Sequence, residues 1–204
     1  MGLNFLSIVM TVLEFSTVIL FAAGGYEYYR IRKITADRKK SALALCGVIS
    51  CFIGGFPNAC DKASMTFFDY DTWFNSTWMF FFVGIGYVCL FLSVLDRKKK
   101  EKILLLAVPA FHKPMKYMSM LAASVGMTGF YVTMYRKTKK LIGKKALLYF
   151  VTFGTTVFLI VFSATAKFSS PLPNIIAQAV NSTGYLAFIA ANRAVLGKLS
   201  KAEN

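Results

Sequence analysis

The sequence has few of the side chains that most enzymes use for catalysis. It contains one histidine, nine acidic residues and four cysteines among 204 residues. No zinc-ligand spacing occurs, and no glycine-rich loop is present to hold a phosphate. We therefore predict a protein that is not an enzyme and that carries neither a metal nor another cofactor.

Charge is also scarce, and most of it is positive and clustered. The chain is 56% hydrophobic, and its mean hydropathy is +0.55. A bilayer crossing takes ~20 apolar residues, and several such runs occur. Of the 24 lysines and arginines, 20 lie in clusters at the ends of these runs, at residues 30–40, 97–102, 136–145 and 193–201. This positive-inside pattern predicts a polytopic membrane protein with the lipid bilayer, rather than nucleic acid, as its partner.

Hydropathy and charge together predict an all-α, seven-helix protein formed as one transmembrane domain. The predicted helices cover residues 3–26, 41–56, 76–95, 103–111, 117–135, 146–166 and 173–196. The basic loops are expected in the cytoplasm, and the acidic loop 61–74 is expected outside. The N-terminus is then outside and the C-terminus inside, in a plasma or inner membrane.

The two halves of the chain show signs of an internal repeat. Arg32-Lys33 aligns with Arg136-Lys137, and Asn75-Ser76-Thr77 aligns with Asn181-Ser182-Thr183. Residues 1–95 would then match residues 117–196, and residues 103–116 would form a linker helix. Chance alignment of two similar membrane triplets is the alternative. A true repeat would be parallel, because an odd number of helices separates equivalent helices, and it would place a cavity between the halves.

This plan of three helices, a linker helix and three more resembles that of the SWEET and PQ-loop transporters. The resemblance is one of architecture, since neither residues 3–26 nor residues 117–135 contain the proline that those families carry in the first helix of each repeat. It implies transport of a small solute through a pocket between the halves. It also implies that asparagines from the third helices, here Asn75 and Asn181, contribute to that pocket.

Glu14 is the one carboxylate that lies deep in a predicted membrane helix. A charged side chain at the bilayer centre costs ~2.5–3.5 kcal/mol on insertion scales, and such residues often serve proton or substrate pathways. The alternative is a protonated Glu14 that bonds to a serine, threonine or asparagine of another helix. We treat Glu14 as a candidate for solute recognition or proton coupling.

The last predicted helix carries a polar stripe although it is apolar enough to span a bilayer. Its members follow helical spacing on one face; they are Asn174, Gln178, Asn181, Tyr185 and Asn192. Amides in hydrocarbon are costly, so the stripe should face the protein interior or a cavity. Polar packing between helices is the alternative to solute binding.

The sequence favours a carrier or facilitator of a small polar or amphipathic solute, with proton coupling as one option. The alternatives are a seven-helix sensory or receptor module with a separate protein partner, and an accessory subunit of a larger complex or homo-oligomer. Two catalytic options remain. Cys60 and His112 could form a thiol site on the outer side. Ala191-Asn192-Arg193 also resembles a segment of lysoplasmalogenase-type membrane hydrolases, although the aspartates of that family are missing.

Overall fold

The computed structural model describes residues 5–70, 76–95, 115–165 and 171–203, and the regular structure in these ranges is helical. The α-helices are α1 (Phe5–Thr35), α2 (Arg38–Phe68), α3 (Ser76–Val94), α4 (Met115–Ile142), α5 (Leu148–Thr165) and α6 (Pro171–Glu203). A 3₁₀ helix, Gly143–Leu147, joins α4 to α5 without a break, so these ranges hold five continuous helical runs, not seven separate helices. The all-α prediction is confirmed. The predicted fourth helix, residues 103–111, lies outside the described residues.

Three of the helical runs are long and apolar enough to cross a membrane. They are α1, α2 and Met118–Leu159, which contains most of α4 and α5 and folds back at Gly143. On α1, large apolar side chains are exposed at every seventh residue; they are Phe5, Val12, Ile19 and Tyr26. An apolar stripe of this length exposed along a helix is expected where lipid covers the surface. The helices therefore have the properties of a membrane protein.

The predicted basic loop between the first two helices is almost entirely helical. α1 continues to Thr35, and α2 begins at Arg38. Asp37 caps α2 by accepting a hydrogen bond from the Lys40 backbone N–H at 2.8 Å, as aspartate commonly does at this position. The end of a hydrophobic run marks where a helix leaves the apolar layer, and the backbone stays helical beyond it.

The prediction that the second helix ends near Pro57 is wrong. α2 includes Pro57 and ends at Phe68. A proline inside a helix removes one backbone hydrogen bond, but the turns on either side continue here. Asp69, in the left-handed region with φ 53°, closes the helix by donating its backbone N–H to the Ser64 carbonyl. Residues 61–68, predicted as part of a loop, therefore belong to α2.

The chain reverses direction at Gly143. This glycine has φ +59°, a left-handed conformation that residues with a Cβ rarely adopt. The reversal brings Tyr135 of α4 against Phe150 of α5, with ring centroids 4.5 Å apart. α4 and α5 therefore form an antiparallel hairpin.

Side-chain contacts give the direction of each remaining helix. Thr11 of α1 bonds to Thr66 of α2 at 3.1 Å, so the start of α1 meets the end of α2. The rings of Phe21 and Tyr87 lie 6.4 Å apart, and Tyr28 bonds to Ser93 further along, so α1 and α3 run parallel.

α6 also runs parallel to α1. Thr17 and Ser182 are 3.0 Å apart, and about two to three turns later the Asn192 amide donates to the Gly24 carbonyl. α4 follows the direction of α3, because Gly84 meets Ser119 while Gly126 meets Tyr87. α3 therefore ends and α4 begins at opposite ends of the bundle.

The two groups of three helices, α1–α3 and α4–α6, pack in corresponding ways. In the first, the Ser50 hydroxyl of α2 donates to the Phe82 carbonyl of α3 at 2.7 Å. In the second, the Thr152 hydroxyl of α5 donates to the Gly184 carbonyl of α6 at 3.0 Å. Both bonds span 32 residues. The groups meet along α3 and α4 and along α6 and α1.

Candidate functional site

A cavity of about 270 Å³ lies between α1, α2, α3 and α6. It occupies the half of the bundle that contains the start of α1 and the end of α2. Four of the six predicted site residues line it: Glu14, Gln178, Asn181 and Tyr185. The other two, Asn174 and Asn192, do not line it. On α6, the cavity extends along only about two turns of the predicted polar face.

Glu14 forms an ion pair with Lys62 in the cavity wall. The Glu14 side chain is 6% exposed, whereas that of Lys62 is 29% exposed. This pairing replaces the bond to a serine, threonine or asparagine that the sequence suggested as the alternative. A carboxylate so deeply buried is costly unless a positive charge or hydrogen bonds compensate it. Lys62 supplies that compensation because α2 continues past Pro57.

Sequence reasoning missed Lys62, although a signal was present. The cavity residues on α2 are Cys51, Gly55, Asn58 and Lys62. They follow the four- and three-residue spacing of a single helical face. Continuing this periodicity through Pro57 would have placed Lys62 on the cavity side of α2. The acidic surroundings of Lys62 indicated a loop instead.

The α6 wall of the cavity is polar. Gln178, Asn181 and Tyr185 point into it from successive turns. The Tyr185 hydroxyl lies near the side chains of Asn181 and Tyr87. The Gln178 side-chain oxygen is buried and has no hydrogen-bond partner within the described ranges. Such an acceptor is costly when it remains unpaired, so a donor that reached it would bind favourably.

The α3 wall is mostly apolar and lies across the cavity from the amides. It consists of Met79, Val83 and Tyr87. The Tyr87 hydroxyl makes no well-formed hydrogen bond to any described residue, and the centroids of the Tyr87 and Tyr131 rings are 6.3 Å apart. The cavity therefore combines amides, an ion pair and an apolar surface, which suits an amphipathic ligand.

Aromatic rings close the cavity toward the other end of the bundle. Phe21 packs against Tyr185, with centroids 5.3 Å apart, and forms the floor with Tyr87. Beneath this floor lies an aromatic plug of side chains that are at most 1% exposed: Tyr28, Phe130, Tyr131, Tyr149 and Phe188. The plug lies between the cavity and the basic end of α1, where Arg32 donates to the Ser93 carbonyl at 2.7 Å.

Asn192 lies beside the plug and holds three helices together. Its side-chain oxygen accepts from the Tyr149 hydroxyl at 2.7 Å, and its amide donates to the Gly24 carbonyl at 2.9 Å. The residue is fully buried. Its predicted place in a ligand-binding stripe is therefore corrected to a bridge between α1, α5 and α6. Asn174 is half-buried, one turn of α6 before the cavity.

Replacing Asn192 by alanine should destabilise the protein by about 1–3 kcal/mol. The change leaves the Gly24 carbonyl and the Tyr149 hydroxyl without a partner in a dry site. Tyr149→Phe removes only one of these bonds and should cost less. Unfolding in mixed detergent micelles measures both variants against Thr183→Ala, an exposed position on the same helix. Equal stability of Asn192→Ala and Thr183→Ala would contradict the bridging role.

Of the two residues considered for a thiol site, only Cys60 lies in the described part of the chain. Cys60 is an exposed free thiol on α2, outside the cavity wall, and His112 lies outside the described residues.

Comparison with models of known families, with curated proteins and with solved structures gave no match, so a function must be inferred from the chemistry of the cavity itself.

Proposed function

We propose that the protein is an integral membrane carrier or facilitator of a small amphipathic solute, which binds between α1, α2, α3 and α6. The observation that carries the proposal is a cavity with one polar and one apolar wall, closed at one end by the aromatic plug. A carrier needs a central site that is open to one side and sealed toward the other. The proposed orientation has the basic ends of the helices in the cytoplasm and the cavity opening outside.

The proposed topology has seven crossings. α3 and α4 run parallel, so a further crossing by residues 103–111 would return the chain to the side from which α4 starts. The N-terminus is then outside and the C-terminus inside. The first three helices and the last three act as the two halves of the carrier.

Equivalent contacts in the two halves support an internal parallel repeat. The bonds Ser50–Phe82 and Thr152–Gly184 are offset by 102 residues. The same offset pairs Met79 with Asn181 and Val83 with Tyr185, and all four line the cavity. Sequence matching gave offsets of 104–106 and paired Asn181 with Asn75, which lies outside the described residues. In the proposed repeat, corresponding positions carry apolar side chains on α3 and polar ones on α6. Two unlike walls suit an amphipathic solute better than a solute whose two sides are alike.

Uptake into proteoliposomes tests the proposal. A panel of small polar and amphipathic solutes should include at least one whose uptake requires the protein, and a pH gradient applied in parallel detects proton coupling. Gln178→Ala and Asn181→Ala should each lower this uptake about tenfold, as expected for the loss of one good ligand contact. Thr183→Ala, on the exposed face of α6, should leave it unchanged.

The outcomes separate the candidate functions. Uptake that is equal in empty liposomes and proteoliposomes would refute the carrier proposal. Binding of a solute in the cavity without flux would instead support the receptor alternative, because that function requires occupancy but no passage. Co-purification of a second membrane protein in stoichiometric amount would support the accessory-subunit alternative.

A further inference from the structure

We infer that the cavity selects a zwitterion, a small molecule that carries an ammonium and an anionic oxygen group on one apolar body. The inference names the solute class for the proposed carrier and rests on that function for its biological role. Its physical basis is the ion pair in the cavity wall. Glu14 and Lys62 are the charged residues among those that line the cavity, one of each sign.

The two charges compensate each other when the cavity is empty, so the ligand must also be neutral overall. An anion would pair with Lys62 and leave Glu14 without its partner. A cation would pair with Glu14 and leave Lys62 without its partner. Leaving Glu14 unpaired is the more costly outcome, because its side chain is 6% exposed and the charge cannot reach water. Leaving Lys62 unpaired, at 29% exposed, costs less but still loses the ion pair without replacing it. A zwitterion satisfies both charges when the pair opens.

The pair is built so that it can open. Its members lie on different helices, α1 and α2. Lys62 has a flexible four-carbon stem and is 29% exposed, whereas Glu14 is 6% exposed. The lysine can therefore swing toward the cavity mouth while Glu14 stays in place. The ligand ammonium would then bind to Glu14, and its anionic group would bind to Lys62 near the mouth.

Gln178 strengthens the ammonium side of this site. α1 and α6 run parallel and are joined by the Thr17–Ser182 contact of 3.0 Å. Glu14 precedes Thr17 by three residues and Gln178 precedes Ser182 by four, so both lie about one helical turn above that contact. The Gln178 side-chain oxygen has no hydrogen-bond partner among the described residues, so a ligand ammonium that reached it would find a second acceptor at the level of Glu14.

The size and the apolar wall define the rest of the ligand. At about 270 Å³ the cavity is smaller than a typical pocket for a drug-sized molecule. Met79 and Val83 face it from α3, and Val18 faces it from α1. These side chains would cover an aliphatic body next to the two charged groups. A free amino acid with an aliphatic side chain has this chemistry, and so does part of a zwitterionic lipid headgroup.

Three probes that share the isobutyl side chain of leucine test the inference on the unaltered protein. Leucine carries both charges, isoamylamine only the positive one and isocaproate only the negative one. Calorimetry in detergent at neutral pH should show leucine binding at least about tenfold more tightly than either of the others. Equal affinity of the three probes, or no binding of leucine, would overturn the inference without reference to transport.

Single variants test which protein charge binds which charge of the ligand. Glu14→Gln should reduce leucine affinity to about that of isocaproate, because the ammonium loses its partner. Lys62→Met should reduce it to about that of isoamylamine. A leucine affinity unchanged in both variants would refute the assignment. The double swap Glu14→Lys with Lys62→Glu retains one charge of each sign, so it should still prefer leucine to both singly charged probes even where a single variant fails to fold.

Leucine binding in nanodiscs of two lipid compositions distinguishes a free amino acid from a lipid headgroup as the natural ligand. Leucine affinity should be equal in discs of phosphatidylglycerol and in discs that also contain phosphatidylethanolamine, if a free solute is the natural ligand. Competition by phosphatidylethanolamine would assign the same site to a lipid headgroup. Leucine binding with no flux in proteoliposomes would retain the zwitterion site and refute only the carrier.

Discussion

Replacing Lys62 by methionine should destabilise the protein by about 3–5 kcal/mol, one of the largest effects expected from a single substitution. The change leaves Glu14 as an unpaired carboxylate, and its side chain is only 6% exposed. Removing one partner of a buried ion pair typically costs this much, because the remaining charge cannot return to water. Equilibrium unfolding in mixed micelles measures the loss.

The reciprocal change, Glu14→Gln, should cost clearly less. Lys62 is 29% exposed, so its ammonium can turn toward water at the end of the bundle. The double variant, Glu14→Gln with Lys62→Met, should recover most of the stability because no charge is left behind. The non-additivity of the cycle then measures the coupling between the two residues.

Lys33→Met is the matched control. Lys33 is an exposed lysine near the opposite end of α1, where a surface substitution has little effect on stability. If Lys62→Met unfolds at the same denaturant concentration as Lys33→Met, the pair does not stabilise the fold. A double variant as unstable as Lys62→Met alone would show that the lysine acts through packing rather than charge.

The ion pair also shows how far the sequence could predict the site. Glu14 stands out because a carboxylate is rare within an apolar run, and its importance needs no knowledge of the fold. Its partner could not be found by hydropathy, which marks where a helix leaves the apolar layer. Since α2 stays helical beyond that point, Lys62 lies on a helix of the bundle and not in a loop. Only the tertiary packing shows that it contacts Glu14.

The polar stripe of α6 illustrates a second limit. Spacing predicts which face of a helix a residue occupies but not how deep along the axis it meets a partner. Asn181 and Asn192 lie 11 residues apart, about 16 Å along a helix. One faces the cavity, and the other bridges helices beside the plug. The floor of the cavity includes Phe21 of α1 and Tyr87 of α3, and periodicity in α6 cannot reveal where these rings lie.

Replacing Gly84 and Gly126 together by alanine should also cause one of the largest losses of stability, about 2–6 kcal/mol. A Cβ on Gly126 would lie 2.7 Å from the Tyr87 carbonyl carbon, and one on Gly84 would lie 2.7 Å from the Ser119 carbonyl oxygen. These atoms belong to the backbone and cannot rotate away, so α3 and α4 must separate. Overpacking of this kind costs about 1–3 kcal/mol per site.

Gly154→Ala is the control with the opposite expected sign. Nothing lies within 4 Å of a Cβ at Gly154, which is inside α5. Alanine there should stabilise the helix by about 0.5–1 kcal/mol, because glycine loses more conformational freedom on folding. Equilibrium unfolding of the unaltered protein, the double variant and Gly154→Ala in micelles of one composition measures these changes in stability. If the double variant and Gly154→Ala shift stability in the same direction, close packing of α3 on α4 is not what these glycines provide.

The same glycines connect the packing to the proposed transport cycle. α3 and α4 form one of the two contacts between the groups of three helices, and α6 with α1 forms the other. If the halves rock against each other around the cavity, α3 and α4 must slide at close range, and glycines make such an approach easy. Gly84→Ala alone, in protein that remains folded, should therefore lower flux more than ligand affinity. An equal loss of both would mean that the glycine supports the cavity rather than the movement.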